Sequence, residues 1–335
     1  MLRYLSTAMS IESILPRYIK LFSHLRTDRT GGWTAATQGQ APHKPILLLS
    51  VLDLFAQGRI TANLIEITPE LGELFAAYWS KVLPDRRGNL ALPFFHLRSS
   101  GFWHLLPTPG QEAALQAARQ VDTLRQLGKL ILGARLDDEL FQLLQIAEAR
   151  DALRTALIQT YFAPEVHADL LALGEVNLQS FVYSQHLIEQ ARQQIKETPG
   201  EDDAYQPVVR DQGFRKAVVR IYDHRCAFCG VRMLTSDGRT AVDAAHIVPW
   251  SVSHDDDPHN GMALCGLCHW TFDQGLLGVS TRYLVLLSGE LRIIQNVPGH
   301  LLTLESRSII GPAEQALWPR LEALDWHRQN VFRRG

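Results

Sequence analysis

Cys226-Ala-Phe-Cys229 and Cys265-Gly-Leu-Cys268 bracket a stretch that reads Asp243-Ala-Ala-His246-Ile-Val-Pro249 and then Asn260-Gly-Met262. His269 follows the last cysteine directly, and Phe272-Asp273 comes one helical turn later. Two Cys-x-x-Cys pairs separated by some tens of residues have the spacing of a structural zinc site, in which four thiolates close a tetrahedron. The pairs use all 4 cysteines of the chain, so none is left over. In a chain of 335 residues this pairing argues for metal in a reducing compartment rather than for disulfides. A redox dithiol is the other use of such a pair, and the His/Asn motif lying between two of them favours zinc. A closed four-sulfur site has no open coordination position. Any chemistry therefore falls to the His, Asn and Asp residues between and beside the thiolates.

The local pattern orders these residues. Asp243–Val248 is flanked by apolar residues and reads as a strand with His246 facing a cleft. Asn260 ends the following loop, Met262–Leu264 form a second strand, and His269 begins a helix. A neutral imidazole near pH 7 is suited to taking a proton. Hydrolysis of a phosphodiester needs such a base, a cation at the phosphoryl oxygens and a scaffold that fixes both. The combination resembles the HNH (ββα-metal) endonucleases. That resemblance implies that His246 is the general base, Asn260 orients the loop and His269 binds a catalytic Mg²⁺ or Mn²⁺. Many members place a His or Asp immediately before the catalytic His, and here that position is Ala245. Asp243 is the candidate for the missing oxygen ligand, with Asp273 behind it. Plainer uses remain for each residue: His246 as a satisfied buried histidine, His269 as a neighbour of the zinc, His224 as a helix cap or phosphate contact. His254 and His259, beside Asp255, Asp256 and Asp257, read as a solvated turn, with a second metal site as the alternative.

Outward from this core, the chain is an ordinary soluble composition, 46% hydrophobic and 20% charged, with length for two domains. A net charge of −2 excludes a global basic field, so contact with DNA would have to be local. Residues 17–59 carry six basic against two acidic side chains and residues 208–240 seven against three, a net +4 in each window, which suits phosphate contacts. No signal peptide is legible between Met1 and Ser10, Met9 is an alternative start, and no run of 18 apolar residues offers a membrane span. The expected location is cytoplasmic. Ile14 to Leu25 have helical spacing, with Pro16 acceptable in a first turn; Pro45 fits the N1 position of a buried helix ending near Gly58; Thr68-Pro69-Glu70 opens another. Leu90–Leu97 and Phe102–Leu105 read as two strands around a turn. Gln111–Lys196 reads as mostly helical, with breaks at Pro164 and Gly174. Thr198–Pro207 is polar, acidic and the best linker, followed by a helix into Cys226. Tyr283–Leu287 and Leu291–Ile294 suggest a hairpin, and Pro312–Phe332 a final helix with a docked end.

Two motifs of the N-terminal half stand apart: Pro42-His43-Lys44-Pro45-Ile-Leu-Leu-Leu, and Pro93-Phe-Phe-His96-Leu followed by Gly101-Phe-Trp103. Together they resemble the sulfur-binding domain of phosphorothioate-dependent restriction endonucleases, over roughly residues 10–165. The resemblance implies that the Pro93 ring packs on the sulfur, that His43 and Lys44 supply the basic dipeptide, and that His96 and Arg98 meet base or phosphate. Leu92 stands where the family often has an aromatic. The physics agrees: a non-bridging sulfur is larger and less hydrated than oxygen, so an apolar notch beside a cation prefers it. Pro93, Phe94 and Phe95 could equally be ordinary core.

The expected fold is α+β. A mainly helical sulfur-binding-like domain (1–165) and a helical connector and linker (166–207) lead to a ββα-metal domain with structural zinc (208–335). The expected function is cleavage of double-stranded, phosphorothioate-modified DNA by a modification-dependent (type IV) restriction endonuclease. A homodimer would supply two sites for two strands. The alternatives are an HNH nuclease reading methylated or hydroxymethylated cytosine and a non-catalytic zinc DNA-binding module.

Overall fold

The computed structural model describes residues 2–194, 205–235, 238–293 and 297–334, with side chains from residue 13 onward. It divides into two compact units, one running to Leu178 and including Thr235–Arg239, the other made of Gln179–Leu234 and the chain from Thr240. No described helix is long and apolar enough to cross a membrane.

The first unit is built of helices around one small sheet. In chain order these are α1 (Leu2–Ser23), α2 (His43–Ala56), α3 (Pro69–Val82), α4 (Ala91–His96), β1 (Trp103–Pro107), α5 (Glu112–Ala117), α6 (Leu124–Leu130), β2 (Ile131–Leu136), α7 (Asp138–Leu143) and α8 (Ala147–Tyr161). Then α9 (Pro164–Gln193) runs from this unit into the next. Helix α2 lies at the centre. Ile46, Leu47, Leu49, Val51 and Leu52 are all but inaccessible, which is why its sequence is apolar on every side. Thr68 caps α3 by accepting the Leu71 amide, as the Thr-Pro-Glu signature implies. A buried network joins four helices: Arg154 Nη2 of α8 pairs with Asp53 of α2 at 2.7 Å, Tyr78 of α3 donates to Asp53, and Asn177 Nδ2 of α9 donates to it at 2.8 Å.

Four local expectations are corrected here. Residues 91–96 are helical rather than extended. The Asn89 side chain accepts the Ala91 amide, and Pro93 falls in the first turn, where an amide hydrogen has no partner to lose. The only strand of the supposed hairpin is β1, and its partner is β2, Trp103 opposite Leu136, inside the stretch expected to be helical. Pro16 lies within α1, and Pro45 is the third rather than the first residue of α2. Pro164 is a break as expected, opening α9, but Gly174 is not: it sits inside that helix, where a Cβ would come within 2.6 Å of Arg154 Nη1 and 2.9 Å of the Tyr78 hydroxyl.

The second unit holds the end of α9, then α10 (Pro207–Ile221), β3 (Val242–His246), α11 (Trp250–Ser253), β4 (Gly261–Cys265), α12 (Gly266–Asp273), β5 (Leu277–Val279), β6 (Val285–Leu287) and α13 (Leu321–Asn330). Strands β3 and β4 are antiparallel with Val242 opposite Cys265 and His246 opposite Gly261, and α12 packs on both, giving a ββα unit. Helix α10 covers the same hairpin. Gly261 is small because a Cβ would meet Val218 and Phe214 of α10 at 2.6 and 3.0 Å. Strand β6 pairs with β5 instead of with the segment after Ser288, whose hydroxyl caps a 3₁₀ turn over Gly289–Arg292. Ile294 and residues 198–204 of the expected Thr198–Pro207 linker lie outside the described residues.

Candidate functional site

The four cysteines converge. After α10 the chain makes a tight knuckle in which Gly230, in the left-handed region at φ 74°, returns its amide to Cys226 O. The Ala227 amide then bonds Ala263 O and ties the knuckle to β4. Cys265 closes β4 and caps α12, whose first turn carries Cys268. All four Sγ atoms lie within 4.8 Å of one another, and those of Cys229 and Cys265 are 3.6 Å apart. A tetrahedral ion with 2.3 Å bonds to sulfur would set them about 3.8 Å apart, so the cluster fits zinc. Hydrogen bonding with Cys268, helped by the amides of Cys229, Cys265 and Phe228, draws the Cys226 thiol down to about 5 against its burial. Burial pushes Cys229 up to about 12, and bonding to Cys226 together with burial raises Cys268. Four such sulfurs ionise together only around a cation. Among the described residues this is the one group of three or more His, Cys, Asp or Glu that could share an ion.

Beside the cluster, β3 presents His246, partly buried. Its ring stacks on Phe214 of α10 at 3.8 Å and 8°, and its Nε2 lies 2.8 Å from Asp256 Oδ1. Asp256 is 1% exposed; its other oxygen accepts from Tyr183 and sits 3.3 Å from Arg210 Nε. The Arg210 guanidinium in turn lies 3.5 Å under the Trp250 ring. A carboxylate fixed by these partners only accepts, so Nε2 carries the proton. Among the described residues no hydrogen bond is made by Nδ1, which leaves its lone pair available. Asn260, 1% exposed, staples the loop: Oδ1 accepts the Val248 amide at 2.9 Å, and Nδ2 donates to Val248 O and Asp255 O at 3.0 Å each.

On α12, His269 Nε2 lies 3.6 Å from Asp273 Oδ2, one turn away, and both side chains reach solvent. Burial, opposed by His269, raises the Asp273 carboxyl. The two atoms stand at a separation that a shared divalent ion would span. Asp243 is placed elsewhere: its side chain is 61% exposed and bonded to Arg215 Nε at 2.9 Å. Three residues before His246 on a strand, it points to the opposite face.

In the first unit, the starts of α2 and α4 and the 3₁₀ turn after α4 line a cleft of ≈ 910 Å³ together with the loop over residues 26–33. His43, Lys44, Pro93, His96 and Arg98 all reach it. Pro93 is buried, and Leu92 lines the wall beside it. His43 lies between Trp33 (5.4 Å) and Trp79 (4.5 Å), and burial drives its imidazole down to about 4, so it is neutral. Lys44 is lowered by burial and then by Arg26, and its Nζ is 3.5 Å from Ser99 Oγ. His96 is lowered by burial and by Lys44 and Arg98. Arg98 stacks 3.9 Å over Phe95 and donates to Ala118 O, which fixes its guanidinium at the rim. Arg26 and Arg29 also line the cleft, opposed there by one carboxylate, Asp28, which the amide and hydroxyl of Thr30 hold at about 2.

Residues 226–280 match the family of HNH endonucleases, and residues 17–180 match the ScoMcrA-like DNA sulfur-binding domain. The chain joins a sulfur-binding domain to an HNH endonuclease domain. Among solved structures, one titled a modification dependent TagI restriction endonuclease is 24% identical, with a TM-score of 0.26. That match covers 35% of this chain and 37% of that one, so the chain spans little more than a third of that protein. No curated protein matches the chain.

Within the HNH domain, the acidic loop is not the solvated turn its composition suggests. Asp256, His259 and Asn260 are buried and only His254 projects. Sequence reasoning missed Asp256 and Arg210, since nothing in a run of three aspartates says which one turns inward. In the sulfur-binding domain it missed Arg26, Arg29 and the two tryptophans around His43. The basic window over residues 17–59 was the available signal for the arginines.

Proposed function

We propose that this protein is a modification-dependent DNA endonuclease whose N-terminal domain selects phosphorothioate-modified duplex and whose HNH domain cuts nearby. The observation that carries the reading is the co-occurrence of two built sites in the two matched domains. One is a basic cleft with a buried proline in its wall; the other is an oriented imidazole beside a four-sulfur cluster.

In the cleft, the Pro93 ring and Leu92 offer an apolar surface to a sulfur that sheds little hydration, while Lys44 and Arg26 meet the backbone charge. Neutral His43 and His96 add donors without adding charge. In the HNH domain, Asp256 holds the Nε2 proton of His246, so Nδ1 accepts a proton from water in line with the scissile phosphate. Asn260 keeps the strand and the loop in that register. His269 and Asp273 would hold the catalytic divalent ion, and Asp243, turned to the other face of β3, would not. Bound there, Mg²⁺ or Mn²⁺ supplies charge at the phosphoryl oxygens and the leaving O3′. The cysteines would hold zinc as a structural brace. One HNH site cuts one strand, so a homodimer or two successive encounters would complete a double-strand break.

The test is a pair of otherwise identical plasmids from sulfur-modifying and non-modifying hosts, incubated with the protein and Mg²⁺ or Mn²⁺. Only the modified plasmid is expected to be cut. Equal cutting of both would remove the sulfur specificity while leaving the nuclease. His246→Ala is expected to lose roughly a hundred- to ten-thousand-fold in rate while retaining binding; unchanged cutting would overturn the assignment of the base.

A further inference from the structure

The loop that carries Asp256 and Asn260 alternates in direction. Asp256 and Asn260 turn toward β3, while Asp255, Asp257 and His259 turn toward the segment Ala316–Arg320 just before α13. Arg320 ion-pairs with both flanking carboxylates, Asp255 through Nη2 and Asp257 through Nη1 at 3.5 Å. Its amide donates to His259 O at 3.0 Å. His259 is bonded at both ring nitrogens to groups that only accept: Nδ1 to Asp257 Oδ1 at 2.7 Å and Nε2 to Ala316 O at 2.6 Å. A neutral imidazole has one N–H and would turn a lone pair on one of these oxygens, so the ring is an imidazolium with both protons in use. The hydrogen bond donated to Asp257 raises His259 accordingly. Asp257, although pushed up by burial, is brought below its ordinary value by the same bonds.

The far side of this contact is itself fixed. Leu317 is buried, Trp318 donates to Pro312 O and meets the Tyr283 ring edge-on at 5.0 Å, and the Tyr283 hydroxyl donates to Pro319 O. Three consecutive carboxylates would repel one another and swing outward if left alone. Arg320 and His259 neutralise the outer two, so the middle one can stay inside with Arg210 and His246.

We propose that Arg320 and His259 are positioning residues for DNA cleavage, through which the segment Ala316–Arg320 holds Asp256 against His246. This rests on the reading of His246 and Asp256 given above. The experiment is a double-mutant cycle on the full-length, zinc-loaded protein cutting plasmid from a sulfur-modifying host with Mg²⁺. Arg320→Ala is expected to lower kcat about tenfold with KM for DNA unchanged, and Arg320→Lys to recover part of the loss. On an Asp256→Asn background, which is already slow, Arg320→Ala is expected to cost nothing further. An equal fold-loss on both backgrounds would overturn the proposal while leaving the His246–Asp256 reading intact. Full activity of Asp256→Asn alone would overturn that reading and this proposal with it. If Arg320→Ala does not fold, His259→Gln is put through the same cycle with the same two outcomes.

Discussion

At the scale of single residues, protonation is decided by surroundings that no motif records. His43 in the first unit and His327 in the second are both driven by burial from 6.5 to about 4. His327 donates Nε2 to Phe272 O at 3.0 Å and stacks on that ring at 3.8 Å. In each case the unfolded chain takes up a proton at a pH where the folded chain refuses it. The stability each site contributes is therefore complete above pH 6.5 and drains away as pH falls toward 4, by about 3 kcal/mol per site at the acid end of that window. His259 runs the other way: its value is raised, so its contribution is present below 6.5 and fades as pH climbs past the folded value. Urea unfolding at pH 7 and pH 5 measures the acid loss. His43→Phe is expected to flatten it for the first unit alone, and an unchanged slope would count against a neutral His43. Cysteines, His246, Asn260 and His269 could be named from the chain alone because their spacing is local. Asp256 could not, because its partners Tyr183, Arg210 and His246 come from three other elements.

At the scale of elements, propensity misled where a cap or a tertiary partner outweighed it. Phe94 and Phe95 favour strands, yet Asn89 and the first-turn Pro93 make that stretch α4, and this is what brings Pro93, His96 and Arg98 to the wall of one cleft. Strand β2 was hidden in a helix-rich context because its partner, β1, lies some thirty residues earlier. The long helices, by contrast, were readable from their apolar faces and caps. Gly174 looked like a break because its reason lies across space, in the Arg154–Asp53–Tyr78 network against which α9 packs. That network yields a test of its own. Arg154→Met leaves the Asp53 carboxylate buried without its cation, and the first unit is expected to lose about 3–5 kcal/mol in urea unfolding. Asp53→Asn on the same background should recover part of that loss, since the charge left unpaired is what costs.

At the scale of the whole molecule, each unit has its own hydrophobic core, and all four sulfurs belong to the second. Treatment with a strong zinc chelator is expected to abolish the thermal transition of the HNH domain and to leave that of the sulfur-binding domain in place, as read by calorimetry. Mg²⁺ alone should not restore cutting, whereas zinc followed by Mg²⁺ should. A single transition that shifts as one would contradict this independence. Under the function proposed above, and because no cysteine lies in the first unit, a chain made during metal famine would still perch on marked duplex while its blade stayed unforged. Such a chain would shield those positions from a competent copy, so scarcity of one trace element would turn a weapon into a sentinel.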